Sequence, residues 1–282
     1  MRKVLIPTDF SRNAWDAIAY AVDLFKNEPC EFYILNVYSL ADFATDNLMV
    51  PQLDSTLVDT FKGNSEKGLE KVLQRLSFRD ESDMHSYVTL SQQNDLIVAL
   101  KEIVESKDIG LIVMGTKGST DALNISFGSN TVTVMEKIRN CPVLAIPKGT
   151  IYTSVSEIVF PTSFKTHFKK RELDYLIDIA KITNAPIRVL HINEGGDLSE
   201  EQLNFKSLLE EYFDVLEYSF HFLESKNINE GVELFIQSRD SGMVAFINKK
   251  HTFFSTLFSK PLVKELGLKA KIPILALHDF RN

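Results

Sequence analysis

Val4-Leu-Ile-Pro-Thr-Asp-Phe-Ser11 opens one half of the chain and Ile158-Val-Phe-Pro-Thr-Ser-Phe-Lys165 opens the other. Each reads as a short buried strand ending in Pro-Thr. Each is followed by a stretch of helical period and then by a second apolar strand, Phe32 to Tyr38 in the first half and Pro186 to Ile192 in the second. Further on, Ile109-Gly-Leu-Ile-Val-Met114 corresponds to Ser241-Gly-Met-Val-Ala-Phe246, and Cys141-Pro-Val-Leu-Ala-Ile-Pro147 to Ile272-Pro-Ile-Leu-Ala-Leu-His278. A repeat of about half the chain is too long for a solenoid and suits duplicated domains. The expected domains are residues 1–148 and 152–282, divided where Lys-Gly-Thr follows Pro147.

Within each half, short strands without strong alternation are separated by longer helical stretches. That is the pattern of a parallel sheet covered on both faces by helices, an α/β doubly wound architecture. In the first half the reading is strand 2–6, helix 12–26, strand 31–38, helix 55–78, strand 84–90, helix 94–107, strand 109–114, helix 129–139 and strand 142–146. The segment from Ser39 to Thr56 is the least regular and suits either a lid or an ordinary surface connection.

The 282 residues are 44% hydrophobic and 24% charged with few Gly and Pro, which gives a globular chain able to bury cores. The formal net charge of -7 argues against a polyanion-binding surface, because nucleic-acid affinity comes largely from Lys and Arg neutralising phosphates. The locally positive run Lys165 to Arg171 reads as a solvated helix start. Two cysteines, Cys30 and Cys141, make neither a disulfide framework nor a metal spacing, so a reducing cytoplasm is expected. Val4-Leu-Ile6 is too short for a secretory core, and no apolar run approaches the ~20 residues of a spanning helix.

The chemistry is carried by Gly115-Thr-Lys-Gly118, which follows a buried strand, and by Gly128-Ser-Asn-Thr131, which comes nine residues later and opens a helix. Glycines admit a phosphate close to the backbone, N–H groups at a helix start point at its oxygens, and Ser129 and Thr131 add hydroxyl donors. Pro7-Thr8-Asp9 ends the strand expected to flank the same crevice. In doubly wound sheets ligands bind outside the carboxyl ends of strands where the order reverses.

Pro7-Thr-Asp-Phe-Ser11, Leu35-Asn-Val37 and Gly115-x2-Gly118-x9-Gly128-Ser129 together resemble the universal stress protein family in its ATP-binding branch, across residues 1–148. The resemblance implies two tandem domains, each a five-stranded parallel sheet of order 3-2-1-4-5. It implies an adenine nucleotide (ATP, or ADP or AMP) with Pro7, Thr8 and Asp9 beside the adenosine, Val37 meeting the adenine through its backbone and Met114 lining the pocket. Gly115, Gly118, Gly128, Ser129, Asn130 and Thr131 would hold the ribose and phosphates. One departure is Ser91-Gln-Gln-Asn94, where the family often carries a Gly. Mg²⁺ is expected only as the ion nucleotides carry. The resemblance also implies that Pro142–Ile146 pairs with Pro273–Leu277 inside one chain, the tandem mimicking a homodimer; further dimerisation stays open.

In the second half Ser163 stands for Asp9, Ile247-Asn-Lys-Lys250 for Gly115-Thr-Lys-Gly118, and Ser259-Lys260 for Gly128-Ser129. No glycine survives, so an empty or occluded second pocket is expected, with Thr252-Phe-Phe-Ser-Thr-Leu-Phe258 able to fill it. No Walker-type motif and no His or acid cluster at a diagnostic spacing is present, which disfavours rapid catalysis and leaves slow ATP hydrolysis assisted by Lys117. The leading expectation is a nucleotide-dependent regulatory protein of the stress response. The alternatives are a slow ATPase and an interaction scaffold in which nucleotide is incidental.

Overall fold

The computed structural model describes residues 1–39, 55–116, 128–193, 195–248 and 272–278. The first half runs β1 (Arg2–Pro7), α1 (Arg12–Leu24), β2 (Cys30–Tyr38), α2 (Ser55–Ser77), β3 (His85–Gln93), α3 (Leu96–Lys107), β4 (Leu111–Gly115), α4 (Ser129–Lys137) and β5 (Val143–Ile146). The second runs β6 (Ile158–Pro161), α5 (Lys170–Thr183), β7 (Ile187–Asn193), α6 (Glu200–Phe213), β8 (Tyr218–Glu224), α7 (Ile228–Arg239), β9 (Met243–Asn248) and β10 (Ile274–His278). Every first-half element expected from the sequence is present, with ends displaced by at most three residues. Most of the Ser39–Thr56 segment, together with Lys117, Gly118 and residues 249–271, lies outside the described residues.

The strands form one sheet in the order β3-β2-β1-β4-β5-β10-β9-β6-β7-β8. Each half therefore has the order 3-2-1-4-5, as the resemblance implies. Pairing is parallel within each half, and antiparallel where β5 meets β10 with Leu144 opposite Leu275.

Buried on both faces, the strands alternate between two apolar layers. Val4 and Ile6 of β1 and Leu111 and Val113 of β4 join one layer; Leu5, Ile112 and Met114 join the other. Both layers continue through β5 and β10 into the second half, so the halves share their core.

Local sequence explains where helices begin and end. Ser11 caps α1 by accepting the Ala14 N–H, and Asp95 caps α3 by accepting from Ile97 and Val98. Asp108, Asn184 and Asp240 close α3, α5 and α7 in the left-handed region, which short polar side chains tolerate. Along α1, Ala14, Ala17, Ile18, Ala21 and Val22 are buried at three- and four-residue spacing and cover β4.

Further contacts hold the halves in place. Arg2 pairs with Asp178 at 2.6 Å, and the Tyr20 and Tyr152 rings meet edge to face at 5.2 Å. Gly110 is a glycine for a reason of space, since a Cβ there would land on the hydroxyl of Tyr175 from α5. At the base of the second half, Glu157 accepts from Arg188 Nε, from Nε and Nη2 of Arg239 and from Ser241 Oγ, at 2.7 to 3.0 Å. These donors hold its carboxyl down at about 2 against the opposing effect of burial.

Candidate nucleotide site

The crevice lies where the chain order reverses between β1 and β4. β1 hands its last residue, Pro7, to a tight turn. The Thr8 N–H still bonds Leu35 O at 2.8 Å, while the Thr8 carbonyl accepts from the buried Asn36 amide at 2.7 Å. Thr8 Oγ1 then accepts the Phe10 N–H at 3.0 Å and Asp9 Oδ1 the Ser11 N–H at 3.0 Å. This hydroxyl turn places Phe10 at φ 63°, and Asp9 is left exposed beside the start of α1.

β4 delivers Gly115 to the same end of the sheet. A Cβ at this position would stand 2.8 Å from the Asn13 carbonyl oxygen and 2.9 Å from Asn13 Cγ, so the backbone of β4 can lie against the first turn of α1 only with glycine here. The Gly115 carbonyl accepts from Thr131 Oγ1 at 2.8 Å, and Gly128 N–H donates to Thr116 O. These two bonds draw the start of α4 onto the end of β4. Gly128 is the N-cap of α4 and carries no side chain to cap it, so no N-cap side chain takes the first N–H groups of the helix, which lie at the positive end of its dipole.

Gly115, Gly128 and Thr131 are thus tied together at the end of β4, and Pro7, Thr8 and Asp9 stand at the same end of the neighbouring strand β1, with Ser129 and Asn130 exposed on the first turn of α4. Val37 sits two residues past Leu35 at the end of β2, half-buried. Met114 is buried in the same apolar layer as Val132 and Met135, facing the core. Gly118 falls outside the described residues. Asn13, which sequence reading did not single out, and Asn36, which it quoted within Leu35-Asn-Val37 without a role, are both buried: one is packed against Gly115 and the other holds the Thr8 carbonyl.

The second half repeats the turn with different contents. Thr162 N–H bonds Leu190 O at 2.8 Å, Thr162 Oγ1 accepts the Phe164 N–H at 3.1 Å, and Phe164 takes φ 54°. His191 replaces Asn36, its Nδ1 2.9 Å from Thr162 O. Phe164 is fully buried against His191 and Phe220, whereas Phe10 is 40% exposed. Pairing of Val4 with Leu111 and of Ile158 with Met243 makes Ile247 the counterpart of Gly115, and Ile247 is buried where Gly115 leaves room for Asn13. Among the described residues, no group of three His, Cys, Asp or Glu stands close enough to hold a metal ion, and no helix is long and apolar enough to cross a membrane.

The sequence model of the universal stress protein family matches residues 1–147. The chain belongs to that family. A universal stress protein of Methanocaldococcus jannaschii is 29% identical over 147 residues, which are 52% of this chain and 82% of that protein. Over both halves, the crystal structure of a universal stress protein from Archaeoglobus fulgidus superposes with a TM-score of 0.70 at 18% identity, covering 98% of this chain and 96% of that one. A functionally unknown protein from Pseudomonas aeruginosa superposes at 0.61 with 14% identity, over 99% and 92% of the two chains. At such identities the superpositions speak for the fold, and the fold they share includes the second half.

Proposed function

We propose that the first half, residues 1–148, binds an adenine nucleotide across the carboxyl ends of β1 and β4, and that the protein acts as a nucleotide-dependent regulator in the stress response. One observation carries this reading. The glycine N-cap of α4 leaves the helix start open beside Gly115, which itself has no room for a Cβ. An anion approaching there would meet backbone donors and the positive helix end, and the N-cap residue has no side chain to compete for them.

Asp9, Thr8 and Pro7 would flank the adenosine, Val37 would face the base, and Met114 would line the pocket. Gly115, Gly118, Gly128, Ser129, Asn130 and Thr131 would hold ribose and phosphates. A bound nucleotide would supply charge, binding energy and, in ATP, a phosphoanhydride. Mg²⁺ would enter as its companion ion. The chain's own contribution is orientation: Asn36 fixes the Thr8 turn, and Thr131 ties the helix start to β4. At most slow hydrolysis is expected.

The second half, residues 152–282, is read as a degenerate copy of the first. Ile247 occupies the Gly115 position, and Ser163 removes the Asp9 carboxylate. A cytoplasmic setting fits the buried free cysteines.

The test is mass spectrometry of small molecules released from the purified chain, with ATP titration of the wild type and Gly118→Asp. The expected result is one adenine nucleotide per chain, lost in the variant. No nucleotide and no ATP binding would leave the glycine loop structural and favour an interaction scaffold built on the ten described strands.

A further inference from the structure

The core shared across β5 and β10 is apolar. Beside the Arg2–Asp178 pair, two hydrogen bonds at Asn248 cross between the halves, and one of them lands on a helix end. Asn248, the last residue of β9, donates from Nδ2 to the Met135 carbonyl of α4 at 2.7 Å, and the Asn248 carbonyl accepts from Arg139 Nη1. The last carbonyls of a helix have no partner within it, so a donor placed there fixes where the helix stops.

α4 is nine residues long, a rod of about 13 Å. Its start is tied to β4 through Thr131 and Gly128, and its end is clasped by Asn248. A rod held at both ends transmits a shift at one end to the other. We propose that Asn248 is a positioning residue for the first-half site: it sets from the second half where the phosphate-facing turn of α4 stands. This rests on the nucleotide reading above and deepens it, because the degenerate half then contributes to affinity without binding anything itself.

The surroundings fit this role. Asn248 lies opposite His278 in the β9–β10 register, and the His278 ring is fully buried with Arg139 as the charge acting on it. Asn248 is also the counterpart of Thr116, the residue whose carbonyl receives the Gly128 N–H. One register position therefore grips the start of α4 in one half and its end in the other. Asn suits the second task, since its amide donates to a carbonyl. An Asp there would set a carboxylate against a carbonyl oxygen at the negative end of the helix.

The experiment uses the full chain and ATP as the probe. ATP is titrated into the wild type, Asn248→Asp, the smaller and uncharged Asn248→Ser, and Glu157→Gln as a variant destabilised far from α4. Amide exchange of Val132–Val134 is followed without nucleotide. Both Asn248 variants should bind ATP roughly threefold to tenfold more weakly, the worth of about one hydrogen bond. They should keep one site per chain and exchange faster in α4, while Glu157→Gln should keep wild-type affinity. Asn248→Ser decides the matter if Asn248→Asp does not fold. Wild-type affinity in the folded Asn248 variants, or equal weakening in Glu157→Gln, overturns the inference. Absence of binding in the wild type overturns the nucleotide reading and this inference with it.

Discussion

Replacing Gly115 by Ala tests whether the end of β4 is shaped by close backbone approach. The new Cβ would meet three atoms of Asn13. Nδ2 can swing aside; the carbonyl oxygen at 2.8 Å belongs to the first turn of α1 and cannot move without the helix. Overpacking of this kind costs about 1–3 kcal/mol. Ala is favoured over Gly within a strand by roughly 0.5–1 kcal/mol, so a net loss of about 1–2 kcal/mol is expected. The internal repeat supplies the control. Ile247 occupies the same register position and is buried, so shortening it to Ala should cost about 2–5 kcal/mol by opening a cavity. Enlarging the residue thus harms one half and shrinking it harms the other. Urea unfolding at pH 7 reads both, and ATP titration of Gly115→Ala should show weakened binding as the first turn of α1 is pushed from β4. A Gly115→Ala protein as stable as the wild type would refute the packing account of this glycine.

Other expectations concern groups whose ionisation is coupled to folding. Burial, helped by the Arg139 charge, holds His278 down to about 3 from its ordinary 6.5. The unfolded chain therefore takes up a proton below pH 6.5 that the folded one refuses until about pH 3, and stability falls as pH falls through that window by up to ~1.4 kcal/mol per unit. His278→Leu should flatten the slope between pH 6.5 and 4.5 in urea unfolding, and unchanged slopes would refute it. Glu157 acts in a lower window: its contribution is present above pH 4.5 and is lost as pH falls through about 2. At pH 7, Glu157→Gln should cost about 2–3 kcal/mol, just under the roughly 3–5 kcal/mol of a fully buried broken pair because Arg239 is partly open to water. A loss below 0.5 kcal/mol would sink that reading. Gly110→Ala should drive a Cβ into Tyr175 and lower the thermal midpoint; a midpoint equal to wild type would show that α5 yields freely.

The fold was legible because its signals are local and doubled. Apolar runs such as Val4–Ile6 and Leu111–Met114 recur in both halves, and caps such as Ser11 and Asp95 mark helix starts. The gathering of Pro7–Asp9, Gly115 and Gly128–Thr131 could be read because glycines and strand ends announce backbone requirements. Asn13, Asn36 and Asn248 could not be read that way. Each works through a partner far along the chain: Asn13 against Gly115, Asn36 on Thr8, Asn248 on Met135. Nothing in an asparagine's immediate neighbours distinguishes a buried clasp from a turn residue. Met114 is a pocket position that comes from the resemblance alone, and it packs in the apolar layer with Val132 and Met135.

The antiparallel junction of β5 with β10 places within one covalent chain an interface that two separate copies would have to find by diffusion. Its integrity then does not depend on how much protein the cell holds, and dilution leaves it intact. Fusion also frees the two faces from identity. In a symmetric pair every substitution is made twice, and an Ile at the glycine position would reach both crevices at once. Here Ile247 stands in one half and Gly115 in the other, so one covalent chain carries two differently shaped strand ends.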